Sequence, residues 1–309
     1  LAVARRTFFL GLIEGLRRLA FACVAGPAPD TRTYRVDATI LLFSLPIFTR
    51  SNVGSGYARH VVSEGEGRST HVLEFAAGSL PERARGLNRL GMIRETVDEL
   101  AGNIMAARYF GFMTASREES FGEAKKALST SDAQSLFVAI EGHSRPEEVC
   151  SRRAQFVSDA HADRSGWSRL QTLAQAAFHD PLRTDGENAR HGAAGAPPTF
   201  LFALLCAIRA DGEKLQQTYV WGHDRYELTT VKKLDLRTGE RLAAKGVALR
   251  AGSVYGVSGT IRNLRTGEKT AFRIWTEEGS GPVPLRIEYQ PRSFLQLALE
   301  AGRGVQLNW

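Results

Sequence analysis

Three cysteines in 309 residues are too few for a disulfide-built scaffold, so the fold must rest on an apolar core. Long apolar runs are scarce too. The stretch Phe200 to Ile208 is continuously apolar but far shorter than the ~20 residues a spanning helix needs, and it reads as a buried helix. No glycine loop followed by Lys and Ser or Thr is present to cradle phosphate, and no His-Glu-x-x-His pair to hold zinc. Gly256-Val-Ser258-Gly259 lacks the spacing of a nucleophile turn. No motif specifies a reaction, and neither a cofactor nor a metal is expected. Charge of one sign is not concentrated either: 40 Lys and Arg against 33 Asp and Glu leave a net +7, but the two signs are interleaved. That pattern suits a solvated basic surface, and nucleic acid is not expected as a partner.

What is present is strand patterning. Apolar content of 43% and charged content of 24% suit a soluble globular protein. The stretch Gly212 to Leu299 organises the rest. Leu215, Gln217, Tyr219 and Trp221 share one face of an extended segment, Gly222-His223-Asp224 supplies a turn, and Tyr226, Leu228 and Thr230 alternate on the way back. Leu285, Ile287 and Tyr289 repeat the alternation. Leu236-Arg-Thr-Gly-Glu240 recurs as Leu264-Arg-Thr-Gly-Glu268, and both are read as hairpin turns in which Gly239 and Gly267 take positive φ. Val247 to Ile261 reads as strand, and Gly246 before it with Gly252, Gly256 and Gly259 inside it point to a curved sheet.

Residues 1–30 read as an export signal and linker. Arg5-Arg6-Thr7-Phe8-Phe9-Leu10 resembles a twin-arginine motif, and Leu19 to Ala25 a short signal-peptide apolar region, with Cys23 a weaker candidate for lipid attachment. An amphipathic helix carrying Phe9, Leu12, Ile13 and Leu16 is the alternative. Removal of Cys23 would leave Cys150 and Cys206 as two buried thiols or one disulfide worth about 4 kcal/mol.

Farther on, Tyr34 to Phe43 reads as the first strand, ended or bent by Pro46. Gly56 to Ser63 and Ser69 to Ala76 form a hairpin that sets His60 opposite His71. That pair is read as surface histidines, with a metal site as the lesser alternative. Leu87 to Leu100 and Asn103 to Thr114 make a hairpin around Ala101-Gly102, and Leu136 to Ile140 with Val149 to Val157 another around Arg145-Pro146. Ser116-Arg-Glu-Glu119 is a capping box opening a helix with Phe121, Ala124 and Leu128 inward. Trp167, Leu170, Leu173, Ala174 and Ala177 mark a second helix that stops before Pro181. His179, Asp180, Asp185, Glu187 and His191 then sit on a loop over 180–198.

Tyr219, Trp221, Tyr226, Trp275, Tyr289 and Arg286 are the candidate lining of a pocket for an apolar or sugar ligand, with Arg273, like Arg286 on a polar face, beside it. The alternative makes them core and girdle residues. The order Phe200-Leu-Phe-Ala-Leu-Leu-Cys-Ala-Ile-Arg209, Gly212 with its hairpin, Arg273-Ile-Trp275 and Pro284-Leu-Arg-Ile287 resembles the bacterial envelope family called domain of unknown function three-one-zero-eight. The resemblance covers the last third well and Tyr34 to Gly56 loosely; the region Arg117 to Pro198 departs from it. It implies an exported β-rich protein with no established reaction and adds no catalytic residue. The expected fold is thus mainly β, a curved antiparallel sheet or open barrel with two or three packed helices. Residues 31–309 form one domain with a helical insertion at about 116–210. The expected function is non-enzymatic: holding a lipid or envelope polymer on the concave face, in the periplasm or cell envelope, with no transmembrane span in the mature chain. The alternative is an envelope hydrolase with its site near the 179–191 loop.

Overall fold

Alternating apolar and polar residues build one antiparallel sheet of 14 strands among the described residues. A computed structural model describes residues 30–42, 45–86, 88–115, 135–160, 164–180, 184, 188–191 and 196–302. The strands are β1 (Asp30–Leu42), β2 (Leu45–Gly65), β3 (Arg68–Ser79), β4 (Leu90–Leu100), β5 (Asn103–Thr114), β6 (Ser135–Ser144) and β7 (Glu148–Ser158). Then come α1 (Arg164–Phe178), β8 (Asn188–His191), α2 (Phe200–Arg209), β9 (Lys214–Trp221), β10 (Asp224–Leu234) and α3 (Leu236–Ala244). The chain finishes its sheet with β11 (Val254–Asn263), β12 (Lys269–Glu277), β13 (Arg286–Arg292) and β14 (Leu295–Ala301). Spatial order is β8-β7-β6-β5-β4-β3-β2-β1-β14-β13-β12-β11-β10-β9. Two meanders therefore meet where β1 pairs with β14, with Tyr34 opposite Ala301.

The sheet is not closed by a ladder, yet it curls until its two halves touch. Trp221 on β9 packs on Tyr109 of β5 with ring centroids 4.9 Å apart. Gly111 makes room for it, because a Cβ there would lie 3.1 Å from the indole. Ser151 on β7 and Nδ1 of His223 in the β9–β10 turn share a hydrogen bond of 2.8 Å. Side chains complete the wrap that backbone bonds leave open. Inside it lies α2, whose Phe202 and Leu205 pack with Leu73, Val97 and Ala107 on one wall. Its Ala203 and Ala207 pack with Tyr219, Leu228, Val257 and Ile274 on the other. On the outer face α1 buries Trp167, Leu170 and Ala174 against Phe112, Phe137 and Phe156. The stripe expected at 167–177 is that buried face.

Hairpins and both long helices agree with the sequence patterning, with several corrections. Residues 236–240 are not a turn: they open α3, because Asp235 caps the helix by accepting from the Thr238 N–H at 3.0 Å. The matching pentad at 264–268 is a turn, with Gly267 at φ 76°. The identical pentads diverge because Leu242, one turn past Gly239, is buried against Trp275, Val254 and Leu285. Residues 247–250 are likewise not strand; a 3-10 turn, Ala251–Ser253, precedes β11. Pro46 lies opposite Leu41 inside the β1–β2 hairpin, where it does not end the pairing but sits beside the register shift between Ile40 and Leu41. The β2–β3 turn is Glu66-Gly67, both at positive φ, so His60 faces Leu73 and lies diagonal to His71. Cys150 and Cys206 are thiols and form no disulfide with each other. The arginine motif and apolar region of 1–25, Cys23, and the capping box of Ser116 with its helix lie outside the described residues. Within 116–210 the described residues hold β6, β7 and β8 as well as α1 and α2.

Gly239 lets α3 approach the 3-10 turn closely, since a Cβ would meet the Ala251 carbonyl oxygen at 2.1 Å. Gly239→Ala should thus cost about 1–3 kcal/mol despite alanine's better helix propensity, read as a lowered midpoint in urea unfolding. A stabilised variant would contradict this packing of α3.

Candidate functional site

The interior is set by how α2 is tied down. Its first N–H groups have no partner within the helix, and β4 supplies one: the fully buried Glu95 carboxylate accepts from Leu201 N at 2.9 Å, Phe202 N at 3.0 Å and Thr199 Oγ1 at 2.6 Å. At the other end Lys232 of β10 donates to the carbonyls of Ile208 at 2.8 Å and Ala210 at 3.1 Å. Gln217 of β9 donates to Ala203 O at 2.6 Å between them. Opposite walls thus grip opposite ends, and Lys232, together with Glu95 once it is ionised, matches the helix dipole. Burial pushes the Glu95 pKa up to about 7, while the bonds from Thr199, Leu201 and Phe202 pull it the other way. Sequence reasoning missed Glu95. The available signal is its phase, since Ile93, Glu95 and Val97 share one face of β4 and place an acid on the apolar side.

The six residues expected to line a pocket fall into two groups. Tyr219, Trp221, Tyr226 and Tyr289 face inward. Tyr219 stacks on Tyr226 at 5.1 Å and against Phe200 at 5.5 Å, so these rings pack on the helix and on each other. Tyr289 lies across from Phe272 and is partly exposed. Trp275 and Arg286 stand opposite one another on the outer face. There the indole N–H donates to Asp235 at 2.9 Å, and the Arg286 guanidinium lies 5.8 Å from the ring while bonding to Glu288 and Glu300. Trp221 and Trp275 therefore line no common cavity.

His60 and His71 are buried, not on the surface. Their rings stack at 5.4 Å, with Nε2 of His60 and Nδ1 of His71 3.1 Å apart. Burial and the Arg209 charge lower both pKa values, that of His60 to about 4. Glu99 is 3.6 Å from His71. Nearby, a cleft of about 750 Å³ opens beside the end of α2, bordered by Arg209, Lys232, Tyr255 and Pro282. Of the 179–191 cluster, His179 and Asp180 follow α1, Asp185 and Glu187 lie outside the described residues, and the backbone register pairs His191 with Glu148.

The opposite end of the sheet carries the feature that burial alone does not explain. The β1–β2 hairpin runs past the start of β14, where Leu295 pairs with Ile40, and its tip exposes Leu42, Leu45 at 67%, Ile47 at 61% and Phe48 at 54%. Leu41 N donates to the carbonyl of Phe294, whose own ring is 55% exposed, so the β13–β14 turn extends the same apolar rim. Arg50, opposite Ala38, and Arg292, opposite Leu295, stand at its base. A contiguous exposed apolar patch is a surface made to be covered. Sequence alternation missed it, because Leu41, Leu42, Leu45, Ile47 and Phe48 read as an ordinary strand and its end.

No family model matches the chain, the envelope family suggested by sequence included. No curated protein matches either. Among solved structures, the chain is similar to the crystal structure of a beta-barrel-like protein of domain of unknown function DUF1849 from Brucella abortus. The TM-score is 0.47 at 10% identity, over 89% of this chain and 96% of that one.

The buried acid makes a measurable demand on stability. Glu95 holds its proton up to about 7 in the folded chain and releases it near 4.5 when unfolded. Its contribution is therefore full below 4.5 and is lost as pH rises through 7, by roughly 3 kcal/mol. His60, lowered from 6.5, acts in the opposite direction over much of that window, so the comparison needs a variant. The stability of wild type minus that of Glu95→Gln should fall between about pH 4.5 and 7.5; a pH-independent difference would remove the buried proton.

Proposed function

We propose that this chain is a non-enzymatic envelope protein that rests on an anionic lipid surface through its apolar rim. The observation that carries the reading is the β1–β2 tip, where Leu42, Leu45, Ile47 and Phe48 are exposed beside Phe294. Side chains of this size gain about 1.5–3 kcal/mol each when fully withdrawn from water. A hairpin tip can enter the headgroup region without unpairing its backbone, because its strands already bond to each other. Arg50 and Arg292 at the base suit anionic headgroups, at about 1 kcal/mol apiece near such a surface. No helix among the described residues is long and apolar enough to cross a membrane. Lipid is assigned to the rim and not to the concave face, since α2 and its ring neighbours fill much of that face. The export expected from residues 1–30 is part of the same reading and supports it.

Full-length protein should co-sediment with vesicles containing phosphatidylglycerol and much less with phosphatidylcholine alone, and added salt should weaken the binding. Phe48→Asp should lower the partition coefficient by about 10-fold or more while leaving the unfolding midpoint nearly unchanged. Equal sedimentation of wild type and variant would contradict a role for the rim.

A further inference from the structure

A second cluster of side chains lies on the outer face of the β6–β7 hairpin, away from the rim. Register alone brings its members together: His143 pairs directly with Cys150, and Glu148 lies two residues before Cys150 on the same face of β7. Arg145 and Glu148 exchange both backbone hydrogen bonds and close a two-residue loop at Pro146-Glu147, so these positions are fixed by the tightest part of the hairpin. Nε2 of His143 lies 3.5 Å from a Glu148 carboxylate oxygen. Glu148 also accepts a hydrogen bond from the Cys150 thiol. The imidazole nitrogen, the carboxylate oxygen and the sulfur all lie within 4.8 Å of one another.

We propose that His143, Glu148 and Cys150 form a binding site for a divalent transition-metal ion of the zinc class. One nitrogen, one oxygen and one sulfur ligand make a set that suits Zn²⁺ and is too soft for Mg²⁺ or Ca²⁺. Around a tetrahedral ion with bonds of 2.0–2.3 Å, neighbouring ligand atoms stand about 3.3–3.6 Å apart. The observed spacing therefore needs at most small rotations of the side chains. Binding replaces the Cys150 S–H bond with a metal–thiolate bond and releases the proton to solvent, so affinity rises with pH. Three protein ligands leave one position for water or another ligand. A concavity of about 490 Å³, bordered by Arg108, Glu141, His143, Cys150 and Arg152, gives access to it. The site uses neither the rim nor the interior helix, so its fate is independent of the lipid reading.

The test uses full-length protein freed of metal by chelator dialysis and titrated with CoCl₂, then with ZnCl₂. The expected result is a single equivalent of bound Co²⁺ with a thiolate-to-cobalt charge-transfer band in the near ultraviolet, displaced by Zn²⁺, and a Tm that rises with free Zn²⁺. Cys150→Ala should abolish the band. His143→Ala, at a partly exposed position where folding is not at stake, should weaken binding by more than the ~10–100-fold lost with an outer-shell partner. Cys206→Ala should leave the spectrum unchanged. Absence of the band in wild type, or its persistence in Cys150→Ala or at full affinity in His143→Ala, would overturn the site.

Discussion

The contact on which the rest of the molecule depends is the buried carboxylate of Glu95 at the start of α2. A strand bearing an acid on its inner face needs donors there, and a short helix entering the sheet needs an acceptor for its first N–H groups. Each satisfies the other. Lys232 does the converse for the last carbonyls, so the helix spans the interior between β4 and β10 and sets how tightly the sheet curls. Without that strut, Tyr219, Leu228 and Val257 would lose the cover of Ala203 and Ala207.

The same constraint decides where a ligand can act. An open, curved sheet suggests a concave pocket, but here the concavity holds a helix and stacked tyrosines. The seam of Trp221, Tyr109, Ser151 and His223 brings its edges together. Among the described residues, two uncovered features lie at the ends of the sheet: a charged cleft beside Arg209 and Lys232, and an apolar rim at the far end of β1 and β2. Of the two, the rim exposes apolar area that costs free energy in water and thus calls for a partner.

Much of the architecture is legible in the sequence, because each β-hairpin meander joins neighbours in sequence and alternation records the face. Ala101-Gly102 marks its turn, and the stripe from Trp167 to Ala177 marks α1. The repeated pentad shows the limit. Leu-Arg-Thr-Gly-Glu is a turn between β11 and β12 and a helix after β10, and the difference lies in Asp235 and in Trp275, 40 residues away, which bonds to it. Local propensity cannot register that contact. Tyr219 and Trp275 likewise look equivalent as strand aromatics, and only the direction of curl makes one an inner and the other an outer residue. The buried pairing of His60 with His71 escaped because the helix that covers it arrives from 130 residues downstream.

The central claim is that the interior is structural and the rim is the contact surface. Hydrogen–deuterium exchange of the full chain with and without vesicles rich in phosphatidylglycerol tests it most directly. Protection on lipid addition should appear at 40–48 and 292–295, with the amides of α2 unchanged. Altered exchange in α2, with the rim unaffected, would contradict the account and return the ligand to the concave face.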